Sequence, residues 1–266
     1  MDDPRPRDAV TIGRGDRLLD EILTITPTVL ATWHRCARAL LLDRFLGVPP
    51  SDAAPVPAEA NLVHDLLRQI HRHGSCHDAA HVEGTLAGHG DAAQRASVRG
   101  FIERHTRRCP RRVERGEHEA EHARFHRSPP PMFMATGRID AVWVHEGLLD
   151  ARDYKTGHPA IDRVAEDPAA RVQAWLLAPV AERHGLTLRL RYELLAPDID
   201  DDPDPFQPDR DDLAAIEEEL LTTAAAIRAE RQYVGVNDLA VCRFCQYRSV
   251  CRDSAVRAQH EEAVPA

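Results

Sequence analysis

The sequence is nearly without lysine: of its 34 Lys and Arg residues, Lys155 alone is an ammonium and the other 33 are arginine. Arginine serves wherever charge alone is required, so the surviving amine either marks a position that needs one or falls there by chance, and its neighbours decide. An ammonium is a compact charge with three rotatable donors and a movable pKa, suited to acid-base or oxyanion chemistry, whereas a guanidinium is a fixed fork that keeps its proton. Long apolar runs are missing as well. No segment approaches 18 apolar residues and no apolar stretch follows a basic start, so the sequence supports neither membrane insertion nor secretion, and a cytoplasmic location is expected. Internal repeats, long low-complexity segments and a GxxxxGK[ST] phosphate loop are all lacking.

What is there is a chain of 266 residues with 43% hydrophobic content, enough for one large domain or a core with an accessory module. The net charge of −9 would disfavour nucleic acid if it were evenly spread, but it is not. Residues 198–219 hold eleven Asp or Glu against one Arg, whereas Arg95 to Arg127 hold ten arginines against five glutamates, with His105, His118, His122 and His126 interleaved. Such a basic stripe can follow a phosphate backbone even on an acidic protein. A solvated helix face with ordinary Glu/Arg pairs is the equal alternative.

Apolar spacing predicts a helix over residues 26–49 carrying Cys36, with Val29, Leu30, Trp33, Ala37, Leu40 and Leu41 on its stripe. A second helix starts at Pro57, with Leu62, Val63, Leu66, Leu67 and Ile70 on one face and His64 near its first turns. Residues 74–116 read as helical and basic, ending at Gly116. The period then becomes extended, with strands at about 118–126, 132–144 and 147–155 and a tight turn at His145-Glu146-Gly147. A helix after Pro168 closes at Gly185, a half-buried strand covers 186–196, an Asp/Pro-rich loop covers 197–211, and a last helix at about 209–232 leads into a cysteine-rich tail.

The hairpin places Asp140 on one strand and Asp153 on the next, and strand alternation turns Asp153 and Lys155 to the same side. Two carboxylates a few ångströms apart repel unless a cation lies between them, and hard oxygen ligands favour Mg²⁺ or Mn²⁺. A metal so held activates water, and a nearby ammonium assists deprotonation or stabilises charge on a phosphate, which is the chemistry of phosphodiester hydrolysis.

The stretch GRIDAVWVHEGLLDARDYKTG, Gly137 to Gly157, resembles the central motifs of PD-(D/E)XK nucleases of the RecB type. Asp140 matches the metal-binding aspartate of the first motif, and Asp153 with Lys155 match its DYKTG signature. The resemblance implies an α/β restriction-endonuclease-like core, a mixed central sheet flanked by helices. It implies His64 in LVHDLL and the main-chain carbonyl of Tyr154 as further metal ligands, and an acid on the strand before GRID, matched by Glu121 with Glu119 as competitor. It also implies Gln173 as a DNA-contacting residue on the following helix. The family's Gln-x-x-x-Tyr is interrupted here, since Leu177 stands where the tyrosine would be, with Trp175 nearby. Arg104, Arg107, Arg108, Arg111 and Arg112 of the basic stripe would hold phosphates.

Cys242, Cys245 and Cys251 stand as C-x2-C-x5-C, and three thiols so close in a chain read as cytoplasmic suggest a metal or cluster site with a fourth ligand from elsewhere. Among RecB-like nucleases, one subgroup combines three C-terminal cysteines with one on an N-terminal helix to bind a four-iron four-sulfur (4Fe-4S) cluster, and Cys36 matches that first ligand. Linking Cys36 to Cys251 would join the two ends of the chain and remove loop entropy from its unfolded state. Zinc in the same four thiolates is the alternative. Cys76 and Cys109 lack such spacing and are read as free thiols.

The resemblance divides the chain into a tail at 1–25, a helix with the first cluster cysteine at 26–56, a nuclease core at 57–196 with a helical basic insertion at about 74–116, and an acidic loop, helix and cysteine cluster at 197–266. It implies a Mg²⁺- or Mn²⁺-dependent deoxyribonuclease acting on single strands or free ends, similar to the CRISPR-associated exonuclease branch and serving CRISPR adaptation or DNA repair. CRISPR integrase proteins or a separate helicase chain would be its partners besides DNA, with no membrane involved. The alternative is a noncatalytic DNA-binding or scaffold subunit that retains fold and cluster. The intact Asp140, Asp153 and Lys155 argue against that reading, and the Leu177 departure argues for it.

Overall fold

The computed structural model describes residues 22–50, 58–111, 113, 115–128, 130–157, 163–196, 198–199 and 201–256. In chain order the elements are β1 (Leu23–Ile25), α1 (Pro27–Arg35), α2 (Ala37–Leu40), α3 (Ala58–His73), α4 (Ala79–Ala87), α5 (Ala92–Arg108), β2 (Arg115–His126), β3 (Phe133–His145), β4 (Leu148–Lys155), α6 (Pro168–His184), β5 (Thr187–Leu194), α7 (Arg210–Ala229) and α8 (Leu239–Cys242). Two units result, one drawn from residues up to Pro55, Phe125–Met134 and Glu218 onward, the other from Val56–Arg124 and Ala135–Glu217.

In the first unit, α1 begins where the Thr26 side chain accepts the Val29 amide at 3.1 Å and Pro27 presets the first helical φ. The single helix expected over 26–49 is interrupted. Cys36 is extended, with φ −167°, between α1 and α2, and α2 runs on into a π-turn at Leu41–Phe45. Leu41 and Tyr233 are buried there, with Trp33 and Phe45 packed on them edge-on at 6.3 and 5.6 Å from the Tyr233 ring. Segments distant in sequence are tied by Arg38, whose Nε donates to Asp253 Oδ2 at 3.2 Å, and by the Tyr247 hydroxyl, which donates to Asp43 at 2.9 Å. Arg38 and Asp253 are both buried, so their attraction must offset desolvation with further hydrogen bonds. Asp253 Oδ2 obtains one from the Gly235 amide at 2.8 Å, an approach that only glycine allows, because a Cβ there would meet the Asp253 side chain at 2.6 Å.

In the second unit, α3 buries Val63, Leu66, Leu67 and Ile70 against Val98 and Ile102 of α5 and against Ala141, Trp143 and Tyr154 of the sheet. Each such aliphatic side chain contributes roughly 1.5–3 kcal/mol. The helical stretch expected over 74–116 is two helices. Gly88 caps α4, Gly90 follows at φ 59°, and Asp91 restarts the chain with a capping box: its carboxylate accepts the Gln94 amide at 2.9 Å while the Gln94 side chain accepts the Asp91 amide at 3.0 Å. Cys109 caps α5 just before Pro110, so Arg115 and Gly116 belong to β2 instead of closing a helix.

β3 and β4 pair antiparallel through the Glu146-Gly147 turn, where both residues have positive φ, as a two-residue hairpin requires. β4 and β5 pair in parallel, and α6 supplies the crossover, capped by Asp167 and closed by Gly185 in the left-handed region. The order is β3-β4-β5 with β2 also on β3, a central mixed sheet with flanking helices as expected. Among the described residues, no helix is long and apolar enough to cross a membrane.

Candidate functional site

Lys155 ends β4, and its Nζ lies 2.9 Å from Asp153 Oδ1 on the same strand face. The ammonium also stands 4.6 Å over the Tyr192 ring, whose residue pairs with Asp153 in the parallel register. On the other side, the antiparallel register pairs Ala141 with Arg152, so Asp140 and Asp153 follow at the next step. Asp140 is held twice: Oδ1 lies 3.2 Å from His64 Nδ1, and Oδ2 accepts the Tyr154 amide at 2.7 Å. α3 delivers His64 from the flank of its apolar face, beside the buried Val63 and Leu67.

Burial pushes the Asp153 carboxyl up to about 6; Lys155 pulls it down while Asp140 pushes it further up. Burial also works against a charged His64, yet its hydrogen bond to Asp140 and the charges of Asp140 and Asp153 raise its pKa overall. Two carboxylates and an imidazole with surplus negative charge form a donor set that fits a hard divalent cation.

Other candidates fall differently. Glu121 is exposed, whereas Glu119 is partly buried and pairs with Arg138, two residues before Asp140, and with Arg68 Nε at 3.1 Å, one turn after His64. Of the two acids, Glu119 is the one joined by ion pairs to the helix that carries His64 and the strand that carries Asp140. Its φ of 52° inside β2 changes the alternation of side chains there, which two-residue spacing does not foresee. Gln173 and Leu177 are buried in α6, and Trp175 is enclosed beneath the Arg124 guanidinium at 3.8 Å, so it presents no ring face to a base.

Arg104 is buried, with Nε donating to the Leu194 carbonyl at 2.5 Å, and Arg108 donates to the same carbonyl at 2.9 Å and to Asp202 of the acidic segment at 2.6 Å. These two hold α5 to the end of β5, which corrects their reading as phosphate contacts. Arg107 and Arg111 are exposed, and Arg112 lies outside the described residues.

In the first unit, burial raises the pKa values of the Cys245 and Cys251 thiols, and the Cys36 thiol raises both further, joined at Cys245 by Cys242. Thiols are soft donors, and a set of four is chemically suited to a metal or cluster. A second set was not foreseen. Among the described residues, the one group of three or more His, Cys, Asp or Glu whose ligand atoms all lie within 4.8 Å of one another is His71, Cys76, His105 and Cys109. There the neighbouring Cys109 thiol, together with His105 and His71, holds the Cys76 thiol low. Burial opposes charge on His105, but Glu193 and Cys76 raise it to about 9.

A family model described as the PD-(D/E)XK nuclease superfamily matches residues 24–252. No curated protein matches the chain. Among solved structures, one described as "Crystal structure of SSO0001" is similar with a TM-score of 0.45 and 14% identity, over 90% of this chain and 93% of that one.

Proposed function

The chain belongs to the PD-(D/E)XK nuclease superfamily, and from that premise we propose that it is a divalent-metal-dependent deoxyribonuclease acting on single strands or free ends. The observation that carries this reading is the sole lysine with its Nζ 2.9 Å from Asp153, beside an Asp140 oriented by His64 and the Tyr154 amide. Asp140, Asp153, His64 and the Tyr154 carbonyl would hold Mg²⁺ or Mn²⁺, which when bound acidifies water and neutralises phosphate charge.

Lys155 Nζ has three donors and spends one on Asp153 Oδ1, leaving two to orient the attacking water and to stabilise charge on the phosphate. The Tyr154 amide fixes Asp140 Oδ2, which leaves Oδ1 and the neighbouring His64 Nδ1 to face the ion together. Glu119, between Arg68 and Arg138, braces the same edge. The exposed Arg107 and Arg111 would hold the strand's phosphates. Cys36, Cys242, Cys245 and Cys251 would hold a 4Fe-4S cluster that staples the first unit, with zinc as the other occupant. CRISPR adaptation or DNA repair suits such an activity, beside integrase proteins or a separate helicase chain.

The test is cleavage of end-labelled single-stranded and duplex DNA with Mg²⁺ or Mn²⁺, using anaerobically purified protein beside Lys155→Arg and Lys155→Ala. Cutting of single strands by the wild type, reduced on the order of 10²-fold or more in both variants with DNA binding retained, is expected. Binding without cleavage by the wild type under either metal overturns the enzyme reading in favour of a scaffold.

A further inference from the structure

His71 and Cys76 lie at the end of α3 and in the turn after it, His105 lies on the last turn of α5, and Cys109 caps that helix. Each pair is a short half-site, H-x4-C and H-x3-C, and the packing of α3 on α5 in one hydrophobic cluster brings the halves together. His71 Nε2 is 2.8 Å from His105 Nε2 and 3.8 Å from Cys109 Sγ, and all four ligand atoms lie within 4.8 Å of one another. A tetrahedral zinc with bonds of about 2.0–2.1 Å to nitrogen and about 2.3 Å to sulfur requires ligand–ligand separations of roughly 3.3–3.8 Å, a range the observed 2.8 and 3.8 Å bracket.

The surroundings are those of a built site. His105 Nδ1 is 2.7 Å from Glu193 Oε1, which fixes the tautomer that turns Nε2 toward the other three ligands; the same carboxylate binds Arg152 at 2.9 Å through its second oxygen. His71 stacks on His118 at 4.7 Å, and His118 Nε2 accepts from Trp143 Nε1 at 3.2 Å, so the ring plane of His71 is fixed too. Cys76, His105 and Cys109 are buried, which shields the thiols from exchange.

We propose that His71, Cys76, His105 and Cys109 form a structural zinc site, separate from both the carboxylate site and the four-cysteine set. Tetrahedral coordination by two sulfurs and two nitrogens leaves no open position, so the ion fastens helices instead of reacting. His64 precedes His71 by seven residues, two turns along α3. The zinc therefore anchors to α5, and through Glu193 to β5, the helix that presents His64 to Asp140. This is a positioning role, and it stands whether or not the protein cleaves DNA.

The test is metal analysis of the full chain, produced with zinc supplied and dialysed against a weak chelator, together with zinc K-edge X-ray absorption of the wild type. Expected are about one zinc per chain and a shell of two sulfurs at about 2.3 Å with two nitrogens at about 2.0–2.1 Å. Zinc should be lost in Cys76→Ser and in Cys109→Ser and kept in Cys245→Ser. A wild type without zinc, or a zinc shell of four sulfurs, overturns the proposal. Because the spectrum is taken on unaltered protein, it decides between these outcomes even where a cysteine variant fails to fold.

Discussion

Replacing Arg152 with methionine should be among the most damaging single changes in the second unit. The Arg152 side chain is 2% exposed. Its Nε donates to Asp150 Oδ2 at 2.9 Å, its Nη1 to Glu193 Oε2 at 2.9 Å, and its guanidinium lies 4.4 Å over the Trp143 ring. Removing one partner of a buried ion pair costs about 3–5 kcal/mol, because the other charge is left out of water and unpaired. Asp150 would keep Arg189 at 2.7 Å and Arg191 at 3.7 Å, so the stranded charge is Glu193, left among the described residues with the His105 pair. The loss should therefore fall near the lower end, about 3 kcal/mol. If that account is right, Glu193→Gln, which removes the stranded charge, should be partly rescuing in the Arg152→Met background, giving a coupling of roughly 1–3 kcal/mol. Urea unfolding followed by tryptophan fluorescence suits the measurement, because Trp143 and Trp175 are both buried in this unit. A loss below about 1 kcal/mol, or costs that simply add in the double variant, would mean that Glu193 is not left as an unpaired buried charge.

Stability should also depend on pH through Asp153. A carboxyl whose folded pKa is raised contributes stability that is complete below its unfolded value near 3.9 and is lost as pH rises through about 6. In EDTA, Asp153→Asn should thus be more stable than the wild type at pH 8, by up to about 3 kcal/mol, with the gap closing near pH 4; a less stable variant at pH 8 contradicts the burial argument. Arg107→Ala with Arg111→Ala should weaken DNA binding and reduce its salt slope by about 2, whereas Arg104→Ala should lower the unfolding midpoint and leave the salt slope alone. Glu119→Gln should slow cleavage well beyond Glu121→Gln under matched metal, and equal rates would remove Glu119 from the site.

The parts of the fold that can be read from residues are those whose geometry is local. The placement of Asp153 and Lys155 on one face follows from the two-residue repeat of a strand, and the tight turn at residues 145–147 brings Asp140 alongside without any long-range information. Glu119 is ambiguous in the sequence because a single positive φ in β2 alters which side chains share a face, and nothing in EHEAEHARF announces it. Arg104 reads wrongly as a phosphate contact because its partner, the Leu194 carbonyl, is 90 residues away. An arginine on a basic helix looks the same whether it awaits a phosphate or closes off the end of a strand. The interruption at Cys36 is equally hidden, since the apolar stripe on either side continues with helical spacing.

The two cysteine sets show the same limit. Cys242, Cys245 and Cys251 lie within one short stretch, so their spacing alone suggests a site to a reader of the sequence, and only Cys36 would have to be supplied by folding. His71 with Cys76 and His105 with Cys109 are each too short a pattern to stand out among fifteen histidines, and they become a site only when α3 packs on α5. That origin implies different responses to metal removal. Hard oxygen ligands near solvent exchange Mg²⁺ readily, so weak chelation should stop cleavage and added Mg²⁺ should restore it at once. A buried site of thiolates and imidazoles gives up its ion only when the helices part. Stripping zinc should therefore be slow, should lower the unfolding midpoint, and should leave a cleavage defect that Mg²⁺ alone does not repair, because the helix that presents His64 would have lost its anchor.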